Sequence, residues 1–274
     1  MINIKAYAKI NLALEVMGKE GGYHKVNNLM IPINLYDEIT LEKDDKIIIL
    51  NDPFPGENIM EKAAKLFFLK TKIEGGVFIT IKKNIPSAAG LAGGSSDAAA
   101  ILKGLNELYS ANLSKEELIE MSAELGSDVG FFIETKISLC TGRGEIITPL
   151  DIDTPKLNIL LIKQDIGLST AMVYKNYVYE GISKEDKINN IITSLKTRNI
   201  PLLDSNIFND LEPVALGVSS VLRDAFNKIK NMGISVHVSG SGPTMFVVNP
   251  TMEEILKIKG AAKASTIVLL TNTF

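Results

Sequence analysis

Ile2, Ile4, Ala6, Ala8, Ile10, Leu12, Leu14 and Val16 recur at every second position. Asn3, Lys5, Tyr7, Lys9, Asn11 and Glu15 fill the positions between. Only an extended chain sends alternate side chains to opposite faces, so the run predicts a long half-buried strand. No helix sorts these residues into one apolar stripe. Lys9 and Asn11 therefore project from the same face, about 7 Å apart at ~3.4 Å rise per residue.

A turn at Gly21-Gly22 leads to Tyr23-His24, and strand-like pieces follow at 29–34 and 38–49. Apolar Ile59, Ala63, Leu66 and Phe67 predict a helix over 58–70, and 77–83 reads as a strand. A glycine-rich stretch from Pro86 to Ser96 precedes a helical run over 97–109. Ser114 and Glu117 form a capping box for the next helix, with Gly126 at an end that requires positive φ. After Pro149 the pattern restarts. Strands are expected at 157–163, 234–239, 244–248 and 265–270, with helices near 170–179, 185–196, 217–231 and 251–260. Two strands often precede a helix, which predicts α+β rather than a doubly wound parallel sheet. At 274 residues the chain is long enough for two lobes. The polar stretch 150–156 is the candidate boundary, giving 1–152 as the N-terminal lobe and 153–274 as the C-terminal lobe.

Composition excludes several classes. Hydrophobic residues make up 46% of the chain and charged residues 22%, too apolar for a disordered chain. Twenty-nine basic against 32 acidic residues leave −3, no footprint for nucleic acid or an anionic membrane. Cys140 is the single cysteine, so neither an intrachain disulfide nor a thiolate zinc cluster is possible. No apolar run approaches the ~20 residues of a membrane span, and residues 1–16 lack a signal-peptide core. A cytoplasmic protein is expected. A monomer or weak homodimer is the working expectation for its assembly.

The stretch Pro86-Ser-Ala-Ala-Gly-Leu-Ala-Gly-Gly-Ser-Ser96 is the most informative. Gly90, Gly93 and Gly94 allow close approach and positive φ. Ser95 and Ser96 lie where the orphan N–H groups of a helix start favour an anion. Together these make a phosphate cradle, or an ordinary loop ending in a Ser or Asp cap. Asp97 is repulsive to phosphate unless it caps the helix, faces away or organises a cation. No G-x-x-x-x-G-K-[ST], G-x-G-x-x-G or protein-kinase signature is present.

This stretch resembles the second motif of the GHMP kinase superfamily, P-x-x-x-G-L-(G/A)-S-S-A. The inserted Gly93-Gly94 is similar to the branch that acts on 4-diphosphocytidyl-2-C-methyl-D-erythritol in non-mevalonate isoprenoid biosynthesis. Ala8-Lys9-Ile10-Asn11-Leu12 resembles the first motif, and Gly22-Tyr23-His24 the substrate turn. Leu125-Gly-Ser-Asp-Val129 with Phe131-Phe132 resembles the catalytic segment, and Ser239-Gly-Ser-Gly-Pro-Thr244 the third motif. The resemblance implies a two-lobed fold, with a ribosomal protein S5 domain 2-like N-terminal lobe that binds ATP and a ferredoxin-like C-terminal lobe that binds substrate.

The implied reaction moves the γ-phosphoryl group of ATP to the 2-hydroxyl of that substrate. Asp128 matches the catalytic base and Lys9 its cationic partner, while Asn11 orients the substrate. The resemblance places Pro86, Ser87, Ala88, Ala89, Gly90, Leu91, Ala92, Gly93, Gly94, Ser95 and Ser96 around the ATP phosphates. Asn58 and Lys83 line the adenosine pocket, and Ser95 or Ser96 touches Mg2+. Tyr23 and His24 match the cytidine turn. Thr170 and Tyr174 belong to a Ser-Thr-x-x-x-aromatic segment that supplies the second face of a cytosine sandwich. Taken alone, Lys9 reads as a solvated strand lysine, Asp128 as a loop acid and Tyr174 as a packing residue. Ala88, Gly21 and Gly130 depart from the branch's Gly, Asp and Pro. A kinase of homoserine or a mevalonate-type alcohol, or a catalytically silent nucleotide-binding regulator, are the competing readings.

Overall fold

The structure is a computed structural model and describes residues 1–50, 58–153 and 155–274. Thr154, inside the candidate boundary 150–156, lies outside the described residues. Two long strands open the chain, β1 (Ile2–Glu20) and β2 (Tyr23–Asp44). Gly21 and Gly22 join them at φ 59° and 86°, angles that open space and a missing Cβ permit. Next come β3 (Ile47–Leu50), α1 (Ile59–Thr71), β4 (Gly76–Lys82), α2 (Gly93–Leu108), α3 (Lys115–Ala123) and α4 (Phe131–Glu134). A hairpin of β5 (Ser138–Thr141) and β6 (Ile146–Pro149) precedes β7 (Asn158–Lys163) and α5 (Thr170–Lys175). Then follow α6 (Glu185–Thr197), α7 (Ile200–Asn206), β8 (Phe208–Asn209), α8 (Glu212–Val218) and α9 (Ser220–Lys230). The chain ends with β9 (His237–Val238), β10 (Thr244–Val248), α10 (Met252–Ala261) and β11 (Ile267–Asn272).

Two compact units share the chain, each assembled from separated stretches. The first comprises Met1–Ala8, Leu35–Ser87 and Ala92–Lys136. Within it β4 pairs antiparallel with the second half of β2, Glu38 to Asp44, and parallel with β3. Helix α2 is buried along its length because small residues dominate it: Ala98, Ala99, Ala100 and Gly104 are all enclosed. A Cβ on Gly104 would collide with the side chains of Ile4 and Leu41, so glycine lets the helix lie directly on the strands. Helix α1 turns Met60, Ala63, Ala64 and Phe67 inward; Phe67 is fully buried.

The second unit comprises Lys9–Asn34, Ala88–Leu91 and Ile137–Phe274. Its four-stranded antiparallel sheet has the order β11-β7-β10-β9. Counted along the chain that is 4-1-3-2, with helices after the first and third strands: the expected ferredoxin-like succession. Leu160, Ile162, Met245 and Val247 from the sheet bury against Leu222, Phe226 and Ile229 of α9 and Ile255 and Ile258 of α10. Here β1 pairs parallel with β8, at Ala13–Phe208 and Leu14–Asn209, and β2 pairs with β5.

Several expectations need correction. The period-two run is half-buried only at its start; from Ala8 to Val16 every residue of β1 is buried, on both faces. Polar Lys9, Asn11 and Glu15 survive there because each is hydrogen-bonded. The stretch 38–49 is divided between β2 and β3, and 217–231 between α8 and α9, where Ser219 turns extended (φ −132°, ψ 106°) and caps α9. Gly126 has no positive φ, because α3 ends at Ala123 with Glu124 still right-handed. The strands β5 and β6 and helix α7 are short and were not legible as periodic runs.

Phe67→Ala should remove about 3–5 kcal/mol of stability. Urea unfolding should show this as a lower midpoint with an unchanged slope.

Candidate active site

The second unit carries a buried polar network at the start of β1. Lys9 Nζ, on a residue only 3% exposed, donates to Asn11 Oδ1 at 2.8 Å and to the Gly90 carbonyl at 3.2 Å. Ser239 Oγ donates to the same two acceptors, at 3.2 and 3.0 Å. Asn11 Nδ2 donates to Asn28 Oδ1 at 2.6 Å. The inner part of the glycine-rich loop is fastened to this network through its backbone. Thr244 N donates to Ala89 O at 3.3 Å, and Lys9 N to Leu91 O at 3.2 Å. Gly90 takes φ +73°, and a Cβ there would collide with the Ser239 carbonyl. Gly240 lies over the group, its missing Cβ 3.5 Å from Lys9 Nζ. The first motif, the loop's centre and the third motif thus converge in one unit, with an ammonium at their junction.

The first unit carries the rest of the loop and α2. The helix begins at Gly93, two residues before Ser95, which corrects the expectation that both serines precede it. Ala92 takes the left-handed conformation (φ 56°) and Ser96 N already bonds Ala92 O at 3.0 Å. No side chain caps this end, so the early N–H groups, Gly93 to Ser95, have no capping acceptor. Ser95 is partly exposed and Ser96 buried. Among the described residues no cluster of three or more His, Cys, Asp or Glu could hold a metal by itself. Ser95, partly exposed in the first turn, is the hydroxyl there that a Mg2+ carried mainly by phosphate and water oxygens would meet.

Asp97 faces away from the helix start into a buried ion cluster. Lys83 Nζ donates to Asp97 Oδ2 at 2.6 Å and to Asp37 Oδ2. Asp37 Oδ1 also accepts from Asn84 N at 2.6 Å and Ile85 N at 2.8 Å, pinning the corner that enters the loop. Burial works to lower the Lys83 pKa, but the two carboxylates outweigh it and hold it above the ordinary value. Burial pushes Asp97 up to about 7 despite the Lys83 charge, and its Oδ1 is enclosed without a partner. Lys83 is thus paired with two carboxylates. Asn58 likewise serves its own helix, since its Oδ1 accepts from Met60 N and Glu61 N and so caps α1.

Asp128 is partly exposed in the turn between α3 and α4, closed by Val129 N to Gly126 O at 3.2 Å. Lys103 of α2 steadies the end of α4 by donating to the Phe132 carbonyl at 2.7 Å. Burial lowers its pKa from 10.5 to about 8.

The Gly22-Tyr23-His24 turn lies in the second unit. Tyr23 is 60% exposed, with the Arg143 guanidinium 5.1 Å from its ring centre. His24 packs on Tyr174, ring centres 5.2 Å apart, and edge-on to Tyr177 at 6.0 Å. Burial first, then the Lys19 charge, lower its pKa, which keeps the ring neutral at pH 7. Thr170 Oγ1 and Ser241 Oγ lie 2.8 Å apart, linking the Ser-Thr segment to the third motif. His237 bonds Asp204 at 3.1 Å, the structural role its strand setting suggests. Sequence reasoning missed Asn28, Asp37 and Lys103. Asn28 follows His24 at period two on β2, and that spacing was the signal that could have found it.

Gly90→Ala should cripple the loop: a strained φ and a collision with a backbone oxygen leave no side chain to move aside. Nucleotide affinity should fall at least ~10-fold by calorimetry, for a loss of about 1–3 kcal/mol. The Lys103 amine binds fewer protons folded than unfolded between pH 8 and 10.5, so stability should rise with pH across that window. Chemical denaturation of Lys103→Met over pH 7–11 should show that rise removed.

Comparisons with known proteins agree with this geometry. The GHMP kinases N terminal domain matches residues 58–135, which hold α1, the outer loop, α2 and the Asp128 turn. The 4-diphosphocytidyl-2-C-methyl-D-erythritol kinase of Clostridium botulinum (strain Eklund 17B / Type B) is 40% identical over 252 residues, 89% of this chain and 90% of the relative. A crystal structure of 4-(cytidine 5'-diphospho)-2C-methyl-D-erythritol kinase aligns over 100% of both chains at a TM-score of 0.84 and 28% identity. The homoserine kinase of Cytophaga hutchinsonii ATCC 33406 shares the fold, at a TM-score of 0.74 over 99% of this chain and 95% of its own, but only 17% identity. With two-fifths of its residues shared along nine-tenths of its length, this chain belongs to the 4-diphosphocytidyl-2-C-methyl-D-erythritol kinase family of the GHMP kinases.

Proposed function

We propose that the protein transfers the γ-phosphoryl group of ATP to the 2-hydroxyl of 4-diphosphocytidyl-2-C-methyl-D-erythritol, giving the 2-phosphate and ADP. The observation that carries the reading is Lys9. Its ammonium, on a residue 3% exposed, is held by Asn11 Oδ1 and the Gly90 carbonyl where the first motif, the glycine-rich loop and the third motif meet.

The uncapped start of α2 supplies N–H donors and a positive dipole end for the ATP phosphates. Ser95 would help hold a Mg2+ bound with the phosphates, and that ion would offset their charge. Asp128 accepts the proton of the 2-hydroxyl as that oxygen bonds to the γ-phosphorus and the bond from phosphorus to the ADP oxygen breaks. Lys9 stabilises the charge spreading over the transferring group, and Asn11 orients the acceptor. Tyr23, His24 and Tyr174 hold the cytosine; in the free protein the Tyr174 ring rests on His24. Cys140, the single cysteine of the chain, is buried and in no intrachain disulfide, which suits a reducing cytoplasm. No helix among the described residues is long and apolar enough to cross a membrane.

Purified protein with ATP and Mg2+ should turn over the cytidylyl alcohol and leave homoserine and mevalonate untouched. Turnover of either of those in its place would transfer the chain to another acceptor. Asp128→Asn should lower kcat by about 10²–10⁴-fold. Its affinity for ATP should stay within about twofold of wild type, since no phosphate contact is lost. A silent regulator would show no turnover in either protein.

A further inference from the structure

The polarity of the Lys9 network can be traced atom by atom. An ammonium only donates, so the atom of Asn11 facing Lys9 is Oδ1, at 2.8 Å. The other arm of that amide, Nδ2, must then face Asn28, and the Asn28 atom receiving it at 2.6 Å must be Oδ1. Asn28 Nδ2 is consequently turned out of the network. Asn28 is only 4% exposed, yet no acceptor for Nδ2 is found among the described residues. Nor is Nδ2 one of the enclosed orphan atoms, which among those residues are His24 Nδ1, Asp97 Oδ1, Thr244 Oγ1 and Thr271 Oγ1. Nδ2 therefore keeps some surface open to solvent.

Position on the strand indicates which ligand atom it meets. His24 and Asn28 share a face of β2, four residues and about 13 Å apart at ~3.4 Å per residue. That is a length an extended nucleoside diphosphate ester spans, from a base at the turn to phosphates near Lys9. Phosphate oxygens only accept, and a buried amide with unmatched N–H groups can only donate to them.

Resting on the kinase reading, we propose that Asn28 is a diphosphate-binding, substrate-orienting residue. Its Oδ1 fixes Asn11 so that the Asn11 oxygen faces Lys9, while its Nδ2 donates to a diphosphate oxygen of the acceptor alcohol. No motif of the chain accounted for this residue.

Two variants separate the two arms. Asn28→Asp keeps an acceptor for Asn11 and puts an oxygen where the donor was. Its KM for the cytidylyl alcohol should rise about 10-fold or more, with the ATP KM within twofold and kcat largely kept. Asn28→Ala should raise the same KM and also lower kcat, because Asn11 loses its anchor. Calorimetry with CDP and with cytidine adds a readout free of turnover: Asn28→Asp should weaken CDP binding and leave cytidine binding unchanged. An Asn28→Asp protein with wild-type KM and wild-type CDP affinity overturns the proposal, as does equal weakening of CDP and cytidine. If wild type neither binds CDP nor phosphorylates the cytidylyl alcohol, the functional reading itself fails and this inference falls with it.

Discussion

The charge of Lys9 is the constraint around which the second unit is organised. A lysine inside a strand buried on both faces loses its hydration, and the cost is met by acceptors with fixed geometry. Asn11 and Gly90 supply them, and Ser239 competes for the same two oxygens. The carbonyl of Gly90 can come that near only because residue 90 has no Cβ, and Gly240 leaves room for the same reason. Glycines that look like a phosphate motif in the sequence thus have a second role, letting three distant segments close on one ammonium.

The first unit solves a related problem with the opposite sign. Asp97 follows directly on the serines of an anion-binding helix start, and a free carboxylate there would repel phosphate. Lys83 removes that conflict by pairing it, and Asp37 completes the cluster while holding Asn84 N and Ile85 N. Two carboxylates and one ammonium leave a net negative charge, which burial resists; Asp97 is accordingly the group whose proton affinity rises. The cluster fixes both the entry to the loop and the first turn of the helix that leaves it.

Much of this was legible in the residues. The alternation at 2–16 announced β1, Ser114-x-x-Glu117 announced α3, and the third motif lay in its hairpin between β9 and β10. What stayed hidden has physical causes. Period-two patterning reports one apolar face, and it cannot say that the polar face will also be covered when its members satisfy one another. Ala92 at φ 56° starts α2 at Gly93, four residues earlier than expected, an event that propensity does not foresee in a residue with a Cβ. Ala88, also left-handed at φ 49°, stands where glycine was expected, so the backbone kept its conformation at the cost of side-chain strain. Nothing local revealed that Lys83 also bridges two carboxylates or that Asn58 also caps a helix. Neither unit is a continuous stretch of chain, and no shift of composition marks such a division.

Two of the acceptors that hold buried Lys9 are an amide at Asn11 and a backbone carbonyl at Gly90, and their chemistry matters. A buried Asp at position 11 would hold the ammonium more strongly in a low-dielectric setting and neutralise it. The cation would then have little left to offer a phosphoryl group gaining charge. Asn11 and the Gly90 carbonyl orient the ammonium through partial charges, and neither carries a formal charge that would cancel it. They hold the ammonium in position without adding charge of their own, and electrostatic stabilisation of a transition state requires a donor that is in place before the charge develops. The same logic gives Asn28 its chemistry. A neutral amide relays orientation from one strand to the next, and it does so without adding a negative charge near the anions that the site is built to receive.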